Sequence, residues 1–352
     1  GGAIALAGAL AFAELATSFP EAGGPYVYLR EAFGPFVAFL YGWMATLLVS
    51  PGATAVLALG GANHLGLPMP GLWAAAAVII LGAISAFGVR AGAAVQSGLN
   101  GAKLLAMGGL LLAGFLWGRG DWGHFVTAVS TAGGQEAAPT TAAGVTLGGF
   151  ALALIPITFT YSGWNAPMFV GGEIVNPART IPRAVLFGTL LVVGVYLAIN
   201  VLYLYALPVG SLGAEKAAAR AAAGALLGPR AAEAVGWLVG LSVFGCMANG
   251  IVTGPRVPYA MAKDGLLPAW LAEVHPRWQT PVAAIALQTA LAVAALAWAK
   301  TIDRLLDLVT VPGMVLTALA VVGLFRLRKL RPDAVRPYTA WGSPWVPVFF
   351  VG

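Results

Sequence analysis

The chain has 352 residues, of which 59 % are hydrophobic and 9 % charged, and its net charge is +6. Ordinary soluble domains carry roughly 25 % charge, so there are too few charges to clothe a water-soluble protein of this length, and a mean hydropathy of +0.86 excludes a disordered polar chain. A single cysteine excludes a disulfide scaffold, and the class that remains is an all-α polytopic membrane protein.

A membrane-spanning helix needs about 20 mostly apolar residues. Nine stretches meet that need, at about 1–17, 35–60, 72–88, 96–118, 146–170, 184–207, 232–255, 282–299 and 305–325, and a tenth begins near Pro344. The first carries Glu14 about one turn from its end, where a gate or loop anchor is expected rather than a substrate contact. Residues 25–33, which include Arg30 and Glu31, follow as an expected interfacial amphipathic helix. The fourth span holds Lys103 seven residues from its start, roughly 10 Å deep at 1.5 Å per residue. An ionisable group at that depth is a functional candidate, because burial eases proton exchange. The alternative is a structural cation that bonds to free carbonyls or snorkels to the surface.

The fifth span carries the chemistry. It reads Pro156-Ile157-Thr158-Phe159-Thr160-Tyr161-Ser162-Gly163-Trp164-Asn165-Ala166-Pro167. Proline removes a backbone donor and glycine lets the chain leave helical geometry. In lipid, every freed backbone group needs a partner within the protein or in a water-filled cavity. The pattern predicts a discontinuous helix broken around 160–164. Its first half would end in free carbonyls suited to an ammonium, and its second half would begin with N–H groups suited to a carboxylate. A zwitterion such as an amino acid matches both. The alternative is a proline-kinked helix packed by its neighbours. Glu173, just past this span, is expected to act as a gate or loop anchor.

Further along, residues 214–227 form a second expected interfacial helix, and Cys246 reads as a small buried apolar residue. Val311-Pro312-Gly313 interrupts the ninth span. Asp303 and Asp307 suit the N-terminal dipole of that helix. His64, His124 and His275 fall in three different loops, so no metal or catalytic cluster is expected and no cofactor is implied.

Twelve Lys and Arg residues lie in the odd-numbered loops and six in the even-numbered ones. The odd loops are therefore expected to be cytoplasmic, and the basic balance reflects topology rather than nucleic-acid binding. Residue 1 is Gly, and both ends fall within apolar runs, so the sequence is expected to be an internal part of a longer protein with one more helix before Gly1. The pair of connector helices on opposite sides fits an inverted repeat. The expected division is 1–118 as a first repeat lacking its first helix, 119–145 as an external loop, 146–325 as the second repeat, and 326–352 as a cytoplasmic loop with the start of a further helix.

Four ordered stretches resemble amino acid permeases of the amino acid–polyamine–organocation superfamily, and within it the bacterial relatives of L-type amino acid exchangers. They are Ala13-Glu14-Leu15 with Pro20-Glu21-Ala22-Gly23-Gly24-Pro25-Tyr26; Tyr161-Ser162-Gly163-Trp164-Asn165 with Gly172-Glu173-Ile174-Val175-Asn176-Pro177; Ala262-Lys263-Asp264-Gly265-Leu266-Leu267-Pro268; and Arg336-Pro337-Tyr338 with Pro344-Trp345. The resemblance implies a leucine-transporter-like 5+5 inverted repeat and alternating access, with transport of amino acids across the plasma membrane by exchange or proton symport. The carbonyls of Phe159, Thr160 and Ser162 would then receive the substrate's amino group. Phe159 would be the aromatic gate, Tyr161 would neighbour the substrate, Gly163 would give room, and Trp164 and Asn165 would shape the far side. Gly313 falls where some relatives place a pocket side chain. Lys103 matches a lysine that takes the place of a sodium ion in some relatives and links transport to protons. A single-span partner subunit, where relatives have one, is not expected to be disulfide-linked here, because Cys246 lies inside a span. The competing readings are a sodium-coupled or polyamine and organic-cation transporter, and a channel or non-transporting membrane protein of the same fold. No nucleophile–base pair supports an enzyme.

Overall fold

A computed structural model of the chain describes residues 1–125, 148–149, 154, 157–158, 160–215, 217–299 and 301–351. Within these residues the structure is helical, and the isolated antiparallel bridge between Ala22 and Val170 is the one β-type pairing. The helices are α1 (Gly2–Ser18), α2 (Pro25–Phe33), α3 (Pro35–Met44), α4 (Ser50–His64), α5 (Pro70–Ala86) and α6 (Val89–Leu116). After the interrupted segment come α7 (Ala166–Phe169), α8 (Pro177–Ala206), α9 (Val209–Ala214), α10 (Ala218–Leu227) and α11 (Pro229–Thr253). The last four are α12 (Arg256–Lys263), α13 (Val282–Ala299), α14 (Ile302–Leu330) and α15 (Trp345–Val351). A π-turn over Ala45–Val49 joins α3 to α4 into one continuous rod. Six of the resulting rods are long and apolar enough to cross a membrane.

Proline and glycine punctuation explains most of the boundaries. Pro25, Pro35, Pro70, Pro177 and Pro229 each occupy a first helical turn, where the missing N–H would have had no partner anyway. Pro312 behaves differently from the sequence expectation. It sits inside an unbroken α14 and does not divide it.

The helices pack in two groups. In one, α1 lies along α8 and against α15. In the other, α4, α5, α11 and α13 pack on each other. Helix α1 is central, and nearly every residue from Ala5 to Thr17 is buried. Its sequence is mostly Ala and Gly, and small side chains let neighbouring helices approach closely. A Cβ at Gly8 would lie 2.4 Å from Phe350 and 2.8 Å from Trp164, so only glycine fits there. Large apolar side chains such as Leu105, Leu116, Phe187 and Trp298 point outward, as a lipid-facing surface requires.

The first connector helix is more buried than the expected interfacial placement, while the second keeps one buried face as an amphipathic helix does. Tyr26, Val27, Tyr28 and Leu29 of α2 are fully buried, and the helix packs against α3 and α14. The α10 helix buries Ala222, Ala223 and Leu226 against α8 and α11. The reason for α2 is that its charges are consumed internally. Arg30 binds Asp264, Glu21 and Glu31, so the helix needs no water face for them.

Candidate functional site

The fifth span is interrupted where the sequence pattern places the break. Tyr161–Asn165 form a turn, and helix resumes only for Ala166–Phe169. The N–H of Tyr161 donates to Ile157 at 3.2 Å, and beyond it the N–H of Ala166 reaches back to Gly163 at 3.1 Å. Gly163 sits at φ +97°, and a Cβ there would meet nothing within 4 Å. The positive φ demands glycine, and the empty surroundings mean that the break faces open space. Thr160, Ser162 and Gly163 are exposed to that space, while Tyr161 and Asn165 are half-buried. Phe159 lies outside the described residues.

The aromatic residues of the turn are anchored on both sides. Trp164 meets Phe12 of α1 edge-on at 5.1 Å and Phe350 of α15 at 6.1 Å. Tyr161 packs against Tyr196 of α8 at 5.0 Å. The Tyr196 hydroxyl donates to the carbonyl of Thr160 at 3.2 Å. One of the carbonyls that the resemblance offers to a substrate ammonium thus already accepts a bond from the protein. Nothing in the sequence pattern pointed to Tyr196, which sits within an uninterrupted apolar helix.

Lys103 lies across from this cluster on α6. Its ammonium donates to the Cys246 sulfur of α11 at 3.4 Å, and Tyr196 is within electrostatic reach of both. Cys246 is thus partly exposed rather than buried as expected, and it is a hydrogen-bond partner of the lysine. About two turns earlier on α6, the Gln96 amide donates to Asn249 at 2.7 Å and ties α6 to α11 again. Among the described residues, no observed contact joins Gly313 to this cluster. It lies on α14 near Val49 of the π-turn, at 3.7 Å from a built Cβ, and its carbonyl accepts from Thr317.

Glu14 and Glu173 both sit in ion pairs at one end of the helices. Glu14 is completely buried, accepts from Arg328 Nε at 2.9 Å and from the Ala340 N–H at 2.7 Å, and has Arg336 at 3.8 Å. It ties α1 to the end of α14 and to the loop before α15. Glu173 accepts from Arg256 Nε at 3.0 Å and from Nη2 at 3.3 Å. Arg256 is 3 % exposed and also donates to the Val252 carbonyl. Nearby, Arg30 forks onto Asp264 at 2.7 and 2.9 Å, and the Tyr26 hydroxyl donates to the same carboxylate at 2.7 Å. Burial and the bond to Asp264 push the Tyr26 phenol well above its ordinary range. Burial alone would lower Arg30, but Asp264 and Glu21 beside it raise it instead. Among the described residues no group of three or more His, Cys, Asp or Glu could hold a metal ion.

The assembly is a set of apolar helices packed around α1, with one span broken at Tyr161–Asn165, Lys103 related to that turn through Tyr196, and ion pairs at one end. That is the arrangement of a polytopic membrane protein. Comparison with known proteins agrees. The amino acid permease family profile matches residues 1–352. The serine/threonine exchanger SteT of Bacillus subtilis is 31% identical over 366 residues, which cover 100% of this chain and 78% of that protein. The Asc-type amino acid transporter 1 of Mus musculus is 30% identical over 355 residues, covering 96% of this chain and 64% of that one. The large neutral amino acids transporter small subunit 2 of Homo sapiens is 30% identical over 351 residues, covering 96% and 63%. The chain therefore belongs to the amino acid permease family, as an all-α, multi-pass integral membrane protein of leucine-transporter-like fold. It spans just under two thirds of the length of the mammalian relatives.

Proposed function

We propose that this chain forms the transport core of a carrier that exchanges amino acids across the plasma membrane by alternating access. The observation that carries the reading is the break at Tyr161–Asn165, where Gly163 at φ +97° faces open space. A zwitterion would place its ammonium near the carbonyl end of the first half-helix and its carboxylate near the N–H groups that open the second. Tyr161, Ser162, Trp164 and Asn165 would line it, with Phe159 over it. Thr160 would contribute through the carbonyl that also accepts from the Tyr196 hydroxyl.

Exchange is favoured over other modes because the similar proteins include one named as a serine/threonine exchanger. Proton symport is the second mode, supported by Lys103 beside the break. The Lys103 ammonium disfavours sodium at that place, since two cations repel strongly in a low dielectric. The division into two repeats, 1–118 and 146–325, belongs to the same proposal, as does a cytoplasmic location for the ion-paired end. The similar proteins named as small subunits raise a partner subunit, for which Cys246 offers no external disulfide.

The test is uptake of labelled neutral amino acids by the full-length parent protein in proteoliposomes, with and without sodium. Saturable uptake indifferent to sodium supports the proposal. Strict sodium dependence overturns the coupling, and a current that does not saturate replaces the carrier with a channel.

A further inference from the structure

Among the described residues, every ion pair lies at one end of the helices. They join Glu14, Glu21, Glu31, Glu173 and Asp264 to Arg30, Arg256, Arg328, Arg331 and Arg336. Most of them hold loops to helix ends. Glu173–Arg256 is different, because it ties the exit of the broken helix to α12, whose Val257, Ala260 and Met261 pack into the same core as α1 and α2. Glu173 lies ten residues beyond Gly163. Arg256 opens α12, directly after α11. The arginine is buried, and Glu173 is its carboxylate partner.

Both residues line a polar cavity of about 370 Å³ at that end, together with Glu21, Arg30, Lys263 and Asp264. Beside the pair, the Gly23 N–H donates to the Phe169 carbonyl at 3.1 Å, and Ala22 bridges to Val170. The chain that leaves the break is therefore stitched to the loop after α1 by backbone bonds and to α12 by the ion pair.

We propose that Arg256 is a gating residue. Its pair with Glu173, backed by the Ala22–Val170 bridge, is the closed inner gate between the helix break and the vestibule formed by this cavity. The proposal rests on the transport reading above. The physical reason is asymmetric. The Arg256 side chain is buried and would be stranded without its carboxylate, whereas Glu173 is 38% exposed, so the broken helix opens on this side only when both partners move together. The vestibule beyond the pair carries Arg30 and Lys263 against Glu21 and Asp264, a balanced lining suited to a departing zwitterion.

The native thiol supplies a reporter. Cys246 lies ten residues before Arg256, about 15 Å deeper along the helix at 1.5 Å per residue, and touches Lys103 at the level of the break. With the full-length protein in nanodiscs, where reagent reaches both faces, the labelling rate of Cys246 by a charged maleimide is measured for the native protein, Glu173→Gln and Arg256→Lys. The gate predicts that Glu173→Gln labels about tenfold faster, the change produced by a shift of about 1.4 kcal/mol between closed and open states, while Arg256→Lys, whose ammonium keeps the charge but not the two-point bond to Glu173, labels at a rate between the two. Equal labelling in native protein and Glu173→Gln overturns it.

A second variant covers a loss of folding. Ala22→Cys with Val170→Cys, in a Cys246→Ala background, places two thiols across the bridge. Oxidation should abolish amino acid counterflow and a reductant should restore it. Undiminished counterflow by the cross-linked protein overturns the gate. Absence of counterflow even in the reduced protein refutes the transport reading instead, and Cys246 labelling then decides the gate by itself.

Discussion

Glu14 offers the sharpest stability prediction. Its carboxylate has no solvent exposure, and it holds Arg328 and the Ala340 N–H at the junction of α1, α14 and the loop before α15. Glu14→Ala removes both acceptors at once. Breaking a fully buried pair costs about 3–5 kcal/mol, because the surviving charge is stranded. The Arg328 side chain is 22% exposed, so water recovers part of that loss. A bare backbone N–H at Ala340 adds about 1–3 kcal/mol where water cannot reach it. The two terms share one site and are not additive, which leaves an expected loss of about 3–4 kcal/mol. Glu14→Gln keeps one acceptor oxygen but turns an NH₂ toward a donor, so its loss should be smaller, about 2 kcal/mol. Unfolding free energies in detergent, measured with Arg328→Met in a double-mutant cycle, check this. A loss under about 1 kcal/mol for Glu14→Ala, or a coupling near zero, would refute the reasoning.

Three further outcomes follow from the break and its neighbours. Gly163→Ala should cost about 1–3 kcal/mol of backbone strain at φ +97° yet keep substrate affinity, because its Cβ meets nothing, whereas Gly163→Leu should raise KM by about tenfold more by filling the open space; equal KM values in the two variants would remove the substrate from this turn. Tyr196→Phe retains the ring contact with Tyr161 but loses the bond to the Thr160 carbonyl, worth about 0.5–1.5 kcal/mol, so KM should rise severalfold in uptake assays with little change in thermal stability. Lys103→Ala loses the bond to the Cys246 sulfur and should lower uptake without creating a sodium requirement, and uptake at the native rate would leave Lys103 outside the transport machinery.

Much of the fold was legible because the signals were local. Apolar runs of spanning length mark the helices, and prolines and glycines mark their ends. The break could be read from Pro156, Gly163 and Pro167 because helix interruption needs no distant partner to explain it. What could not be read depended on partners far away in the chain. Arg328 is 314 residues from Glu14, and Asp264 is 234 residues from Arg30. The charges on α2 look like a solvated face from sequence alone, and only the fold shows that Asp264 and Glu21 neutralise them. Tyr196 and Arg256 carry no motif of their own. Pro312 looked like an interruption, yet α14 passes through it without a break.

The central claim is that an amino acid binds at the break and is exchanged across the membrane. Counterflow tests it most directly. Proteoliposomes of the full-length parent protein would be preloaded in turn with each amino acid and given one labelled amino acid outside. Transient accumulation driven by a subset of neutral amino acids, and lost in Gly163→Leu, is the predicted result. No accumulation with any of them from folded protein, or accumulation unaffected by Gly163→Leu, would contradict the account.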